Sequence, residues 1–257
     1  MFDTKNKRIR VLNCPIDVLT LSETLALIDA SIREKKRLHH MVVNAAKLVN
    51  CSKDKKLRES VVNCDIINAD GQGVVWAAKL LNQPLPERVA GIDIMFELVA
   101  LSKQKGYKIY FLGAKEEVVR RTVERFASEY GPEVIAGYRN GYFSTAEEKE
   151  VAEEIGRSGA DILFVAISSP KKEIFLNSHK HAIQAPFIMG VGGSFDVASG
   201  LVKRAPLFMQ KAGMEWFYRF IQEPRKMWKR AFVTNLEFAW MVIRERFRGA
   251  ATINDPD

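Results

Sequence analysis

Six short apolar runs, each followed by a longer amphipathic segment, set the pattern of the chain between about residues 38 and 193. The runs at 40–44, 64–69, 108–113, 134–137, 161–167 and 186–191 read as strands bounded by polar and turn-forming residues. The segments at 45–60, 73–81, 92–105, 116–130, 145–158 and 171–182 carry apolar residues at helical spacing. Strand–helix alternation of this length argues for a mostly parallel sheet, because parallel neighbours need long crossovers and helices supply them. The expected fold is therefore α/β, a Rossmann-like parallel sheet with helices on both faces. A chain of 257 residues can bury such a core without a disulfide or a metal.

From about Arg204 the alternation stops and two long helical stretches are expected. This divides the chain into an α/β core, 1–203, and a helical appendage, 204–257. The second stretch spaces Trp228, Phe232, Leu236 and Trp240 four residues apart, a drifting apolar stripe. Charge is as uneven as pattern. The formal net charge is +8, and between Lys203 and Arg248 eleven basic residues face four acids, a local net of +7. That asymmetry points to a polyanionic partner for the appendage. One reading packs its last helix on the core with a solvated basic face; another lays a basic, tryptophan-bearing surface on anionic lipid. Interleaved aromatics would also suit stacking on bases, but nucleic acid is not the expected partner. The stripe equally suits a homo-oligomer interface.

No run reaches the roughly 18 apolar residues that a spanning helix needs, and residues 1–10 are charged rather than apolar. Cys14, Cys51 and Cys64 form no CxxC pair, which suits reduced thiols. A cytoplasmic protein, peripheral on the inner face of the membrane, is the expectation. The four histidines lack zinc-ligand spacing, and the one Asp-x-Asp, Asp255-Pro256-Asp257, sits at the end of the chain. Neither a metal site nor a cofactor is expected.

In parallel α/β sheets ligands bind beyond the carboxyl ends of the strands. Asn44, the run Asp70-Gly71-Gln72-Gly73, the run Ser168-Ser169-Pro170-Lys171-Lys172-Glu173 and the run Gly190-Val191-Gly192-Gly193-Ser194 fall there. Asp70 suits a general base or, equally, a helix N-cap. The 190–194 run has exposed amides for an anion but matches no named phosphate loop. A helix start at Pro170, with two lysines behind it, could hold a diphosphate or be a plain cap. Arg88, in a loop with Glu87 and Asp93, suits phosphate recognition or a loop ion pair.

Taken in order, these motifs resemble the WecB/TagA/CpsF family of bacterial glycosyltransferases from about Val42 to Phe232. The most specific segments are Gly190-Val191-Gly192-Gly193-Ser194-Phe195-Asp196, Gly200, Arg204-Ala205-Pro206, Glu215-Trp216-Phe217-Tyr218-Arg219 and Gln222-Glu223-Pro224-Arg225. The resemblance implies an inverting, metal-independent transfer, commonly of N-acetylmannosamine from a UDP donor. The implied acceptor is N-acetylglucosamine linked through a diphosphate to undecaprenol, in teichoic acid, common antigen or exopolysaccharide synthesis. By the same resemblance Asp70 is the base, Asn44 positions substrate and Arg88 contacts phosphate. Gly192, Gly193 and Ser194 border the nucleotide, and Arg219, Arg225, Lys226 and Lys229 of the appendage complete the site at the membrane. Two positions depart from the family pattern. Val42 stands where many members have Thr, and Lys172 where many have Gln, so another UDP-sugar, such as glucose or a uronic acid, is the alternative donor. A non-enzymatic nucleotide-binding module is the more distant alternative.

Overall fold

The computed structural model describes residues 7–168 and 171–247, without the side chains of Lys211, Lys226, Met227, Lys229, Arg230 and Ala231. The chain opens with an antiparallel hairpin of β1 (Arg8–Val11) and β2 (Cys14–Asp17). Leu12 and Asn13 turn it with φ of 52° and 62°, the double left-handed conformation that matches strand twist. Helix α1 (Leu21–Arg33) follows, started by a capping box between Thr20 and Glu23.

The six expected strands are all present. They are β3 (Leu38–Val43), β4 (Ile66–Ala69), β5 (Ile109–Gly113), β6 (Ile135–Arg139), β7 (Ile162–Ala166) and β8 (Phe187–Gly190). They form one sheet in the order β4-β3-β8-β7-β5-β6, with every pairing parallel. The first and last strands of this sheet are thus neighbours.

Helices cover both faces. Between β3 and β4 lie α2 (Ala45–Lys53) and α3 (Lys55–Val62), where the sequence suggests one helix. The break is at Asp54, whose backbone turns extended and whose carboxylate accepts from the Leu57 N–H at 3.1 Å. A short side chain that caps a new helix ends the old one. Then come α4 (Gln72–Leu80), α5 (Gly91–Lys105), α6 (Glu116–Tyr130), α7 (Glu148–Arg157), α8 (Lys171–Ser178) and α9 (Ser194–Ala198).

Alternate residues of each strand feed opposite cores. Ile109 and Phe111 of β5 join Ile162 and Phe164 of β7 under α1, α5 and α6, whereas Tyr110, Leu112, Leu163 and Val165 pack with α7 and α8. Phe111 is the hub of the first core, its ring 5.8 Å from those of Phe126, Phe164 and Phe195.

The tail is more broken than its periodicity suggests. It runs as α10 (Leu207–Lys211), α11 (Glu215–Gln222), α12 (Pro224–Trp228), a π-helical turn (Lys229–Thr234) and α13 (Asn235–Phe247). Gly213, with φ +70°, separates the first two helices, and Pro224 starts the third. Helix α13 returns to the core, burying Phe238 and Val242 in the cluster that holds Leu48, Val74 and Ala78. The four-residue stripe does not take part: Leu236 is 71% and Trp240 65% exposed, and Trp228 and Phe232 are exposed beside them. Among the described residues no helix is long and apolar enough to cross a membrane.

Because Phe111 fills the space where three rings meet, Phe111→Ala should lower stability by about 4 kcal/mol. Urea unfolding checks this, with the midpoint falling and the slope unchanged.

Candidate active site

The carboxyl ends of β4, β3, β8 and β7 open into a cavity of about 780 Å³. Asn44, Asp70, Ser168 and the 190–194 run all line it, each supplied by a different strand end. The far wall is the tail, through Arg204, Trp216, Arg219, Phe238 and Val242. Gly213 sits so tightly on α4 that a Cβ there would lie 2.8 Å from Gln72 Cβ.

Asp70 is half-buried, its N–H donating to Val43 O at 2.7 Å. The cap position of α4 falls on Gly71, so Asp70 stands one residue ahead of the cap. Asn44 caps α2: its Oδ1 accepts from the Lys47 N–H at 3.0 Å while the residue borders the cavity.

The loop after β8 is shaped by close approach. A Cβ on Gly190 would lie 2.7 Å from Lys172 Nζ, and one on Gly193 would lie 3.2 Å from Arg219 Nη2. Glycine at both positions lets a cation reach the loop backbone. The Ser194 hydroxyl donates to Val191 O at 2.8 Å and so closes the turn. The Arg219 Nε is buried with no hydrogen-bond acceptor.

Two charge groups organise the cavity. At the tail side, Arg88 reaches Asp93 at 3.2 Å and Glu215 at 3.3 Å, and Arg204 reaches Asp93 at 2.5 Å. These four groups, two of each sign, bind the 88–93 segment to the tail. At the floor, Lys172 is 5% exposed and pairs with Glu173 at 3.1 Å. Burial alone would push the Glu173 carboxyl up, but the charge of Lys172, contacts with its own backbone N–H and the Lys172 ammonium, and last the charge of Lys47 outweigh it and hold it below the usual range. Lys47 lies beside this pair, pushed down to about 8 by burial and then by the like charge of Lys172. Its ammonium donates to Met41 Sδ at 2.9 Å, and a thioether is a weak acceptor.

This chain matches the Glycosyl transferase WecG/TagA/CpsF family over residues 9–252. It belongs to that family. The chain is therefore a glycosyltransferase, as its motifs imply. It is similar to an N-acetylglucosaminyldiphosphoundecaprenol N-acetyl-beta-D-mannosaminyltransferase of Bacillus subtilis strain 168, 38% identical over 193 residues, covering 75% of this chain and 74% of that one. It is likewise similar to the protein of the same name in Bacillus spizizenii strain W23, 39% identical over 168 residues, covering 65% of this chain and 64% of that one.

Within this WecG/TagA/CpsF glycosyltransferase, Asn44, Asp70, Arg88, Lys172, Gly192, Gly193, Ser194 and Arg219 come together around one cavity. Arg225 is exposed on α12 and is not among the lining residues. The side chains of Lys226 and Lys229, and the residues Ser169, Pro170 and Asp255 to Asp257, lie outside those described. The expected pair of lysines at the start of α8 is corrected. Lys171 turns away, its ammonium 4.1 Å from the Phe143 ring centre and donating to the Phe143 carbonyl. Consecutive helical residues face different ways, so the lysine that accompanies Lys172 at the cavity floor is Lys47, from α2. Sequence pattern had no signal for Lys47; Arg204 and Glu215 lie in two of the segments that carry the family resemblance, and the fold brings both to the site. Among the described residues no group of three or more His, Cys, Asp or Glu side chains could hold a metal ion.

The four-charge network carries a prediction. Arg88→Ala leaves Asp93 and Glu215 to share Arg204, and stability should fall by about 2 kcal/mol. Limited proteolysis of the variant should cut the tail between residues 204 and 223 before the sheet is attacked.

Proposed function

We propose that this glycosyltransferase moves N-acetylmannosamine from a UDP donor to N-acetylglucosamine carried on undecaprenyl diphosphate, inverting the anomeric centre. The observation that carries this reading is a carboxylate at a strand end, Asp70, in a cavity bordered by the 190–194 loop and Arg219. The names of the two bacilli relatives supply the sugar and the acceptor.

The step needs one base. Asp70 takes the proton of the acceptor hydroxyl as its oxygen attacks the anomeric carbon. The bond to the donor diphosphate breaks on the opposite side, and its electron pair stays on the diphosphate oxygen. Charge therefore grows on the leaving group, where preorganised donors lower the barrier most. The amides of Gly192 and Gly193 and the guanidinium of Arg219 suit that task. Asn44, fixed by its own cap bond, orients substrate beside the base.

The lipid end of the acceptor fits the exposed apolar face of the tail. Leu236, Trp240 and Phe247 are exposed there, with Arg244 and Arg246 among them. Apolar side chains flanked by cations suit the interface of an anionic bilayer. Because the same tail walls the cavity, membrane contact and substrate capture share one element. A peripheral position at the membrane follows.

Asp70→Asn should keep the fold and lower turnover about 10²- to 10⁴-fold, measured with UDP-N-acetylmannosamine and a short-chain acceptor. Near-normal turnover would remove Asp70 from the role, and absence of transfer by the unaltered chain would remove the substrate assignment. Leu236→Glu combined with Trp240→Glu changes two exposed residues. Thermal stability should hold while binding to anionic vesicles drops more than about tenfold, read by cosedimentation.

A further inference from the structure

We infer that Lys47 and Lys172 form the deep end of a diphosphate-binding floor that neutralises the leaving nucleoside diphosphate. The inference rests on the nucleotide-donor reading and adds to it a residue, Lys47, that lies outside every strand-end motif.

The argument begins with a charge inventory. Among the described residues, the cations lining the cavity are Lys47, Arg88, Lys172, Lys203, Arg204 and Arg219. Arg88 and Arg204 are taken up by Asp93 and Glu215, and Lys203 is exposed. At the floor Lys172 pairs with Glu173, and among the described residues Lys47 has no ion-pair partner, which leaves one positive charge in excess there. Lys47 holds that excess against a thioether. Neither Glu173 oxygen accepts a well-formed hydrogen bond, although both are buried. Taking charges out of water without full compensation costs stability. A ligand that brings negative charge removes the cost.

Geometry selects a two-phosphate ligand over a single carboxylate. Lys172 Nζ abuts Gly190, and Arg219 Nη2 abuts Gly193 with Asp196 Oδ2 beside it, so a cation stands at each end of one loop. Lys47 reinforces the Gly190 end. A carboxylate can engage one end; a diphosphate lying along the loop engages both. In the transfer, the electron pair released from the anomeric carbon settles on this diphosphate. The floor therefore acts where charge accumulates, while the acceptor proton goes to Asp70. Arg88 and Arg204, already paired, are left to fasten the tail.

The groups around Lys47 also fix a pH signature. They are Lys172 and Glu173 of α8, Cys51 of α2, Cys14 of β2, Cys64 ahead of β4, and His40 of β3. Burial keeps His40 neutral, its pKa pushed down to about 4, and raises the Cys64 thiol to about 12. Lys47 itself gives up its proton at about 8 in the free protein. Anion binding needs the protonated form, so affinity is full below that pH and declines above it.

The test uses the full chain and Lys47→Met, titrated calorimetrically with uridine, UDP and inorganic diphosphate between pH 7 and 9.5. The variant should bind UDP and inorganic diphosphate about 10- to 100-fold more weakly and uridine as before. Its melting temperature should be equal or higher, because an unmatched, half-buried charge is gone. The fall in UDP affinity above pH 8 should be present in the unaltered chain and absent from the variant. Unchanged affinity for both diphosphates, or an equal loss for uridine, would overturn the inference. If inorganic diphosphate binds in a Lys47-dependent way and UDP does not bind, the floor stands and the nucleotide-donor reading falls.

Discussion

Four charges at one corner of the molecule join the tail to the sheet and help close the cavity between them. Arg88 and Asp93 sit at the start of α5, and Arg204 and Glu215 sit in the tail. Their side chains are only 15–28% exposed, which spares them much of the screening that weakens surface pairs. With the pairs made, α10 and α11 lie across the open end of the sheet. Gln222 adds a second tie, its amide bonding both the N–H and the carbonyl of Lys203. Lys53 and Glu237 add a third, at 2.6 Å. The sheet supplies the floor and the polar strand ends; this set of ties supplies the opposite wall.

The consequence is a division of labour among cations. For the diphosphate site proposed above, arginines would be the expected anion ligands. Here two of them are spent on carboxylates, and the floor is left to lysines. Lysine suits that position because its charge can be moved by its surroundings. Of the two floor lysines, Lys47 is the one whose pKa is pushed down, to about 8, by burial and then by the like charge of Lys172.

The six strands of the sheet were legible because each is a short apolar run closed by a polar or glycine residue. The β1–β2 hairpin was not, since Leu12-Asn13 carries none of the Asn-Gly or Gly-rich signals that mark such a turn. Residues 45–60 looked like one helix because apolar periodicity runs through Asp54, while the capping bond that breaks it depends on local backbone geometry. The strand-end site residues could be found because topology rules point to strand ends before any coordinate is known. Lys47 could not. It is an ordinary-looking lysine in the first turn of a helix, and only the order β3-β8-β7 brings α2 and α8 to either side of Gly190. The tail's stripe was visible as periodicity, but the face it presents was settled by Phe238 and Val242, which turn inward in its place.

That strand order also has a bearing on synthesis. Strand β8 lies between β3 and β7 and is, among the described strands, the last to leave the ribosome. Until it emerges, the part of the chain that precedes it holds two half-sheets whose inner edges are both unpaired. Exposed parallel edges of apolar strands invite wrong partners. The protein is thus most vulnerable to aggregation late in translation, and a short central strand of four residues acts as the keystone that ends the danger.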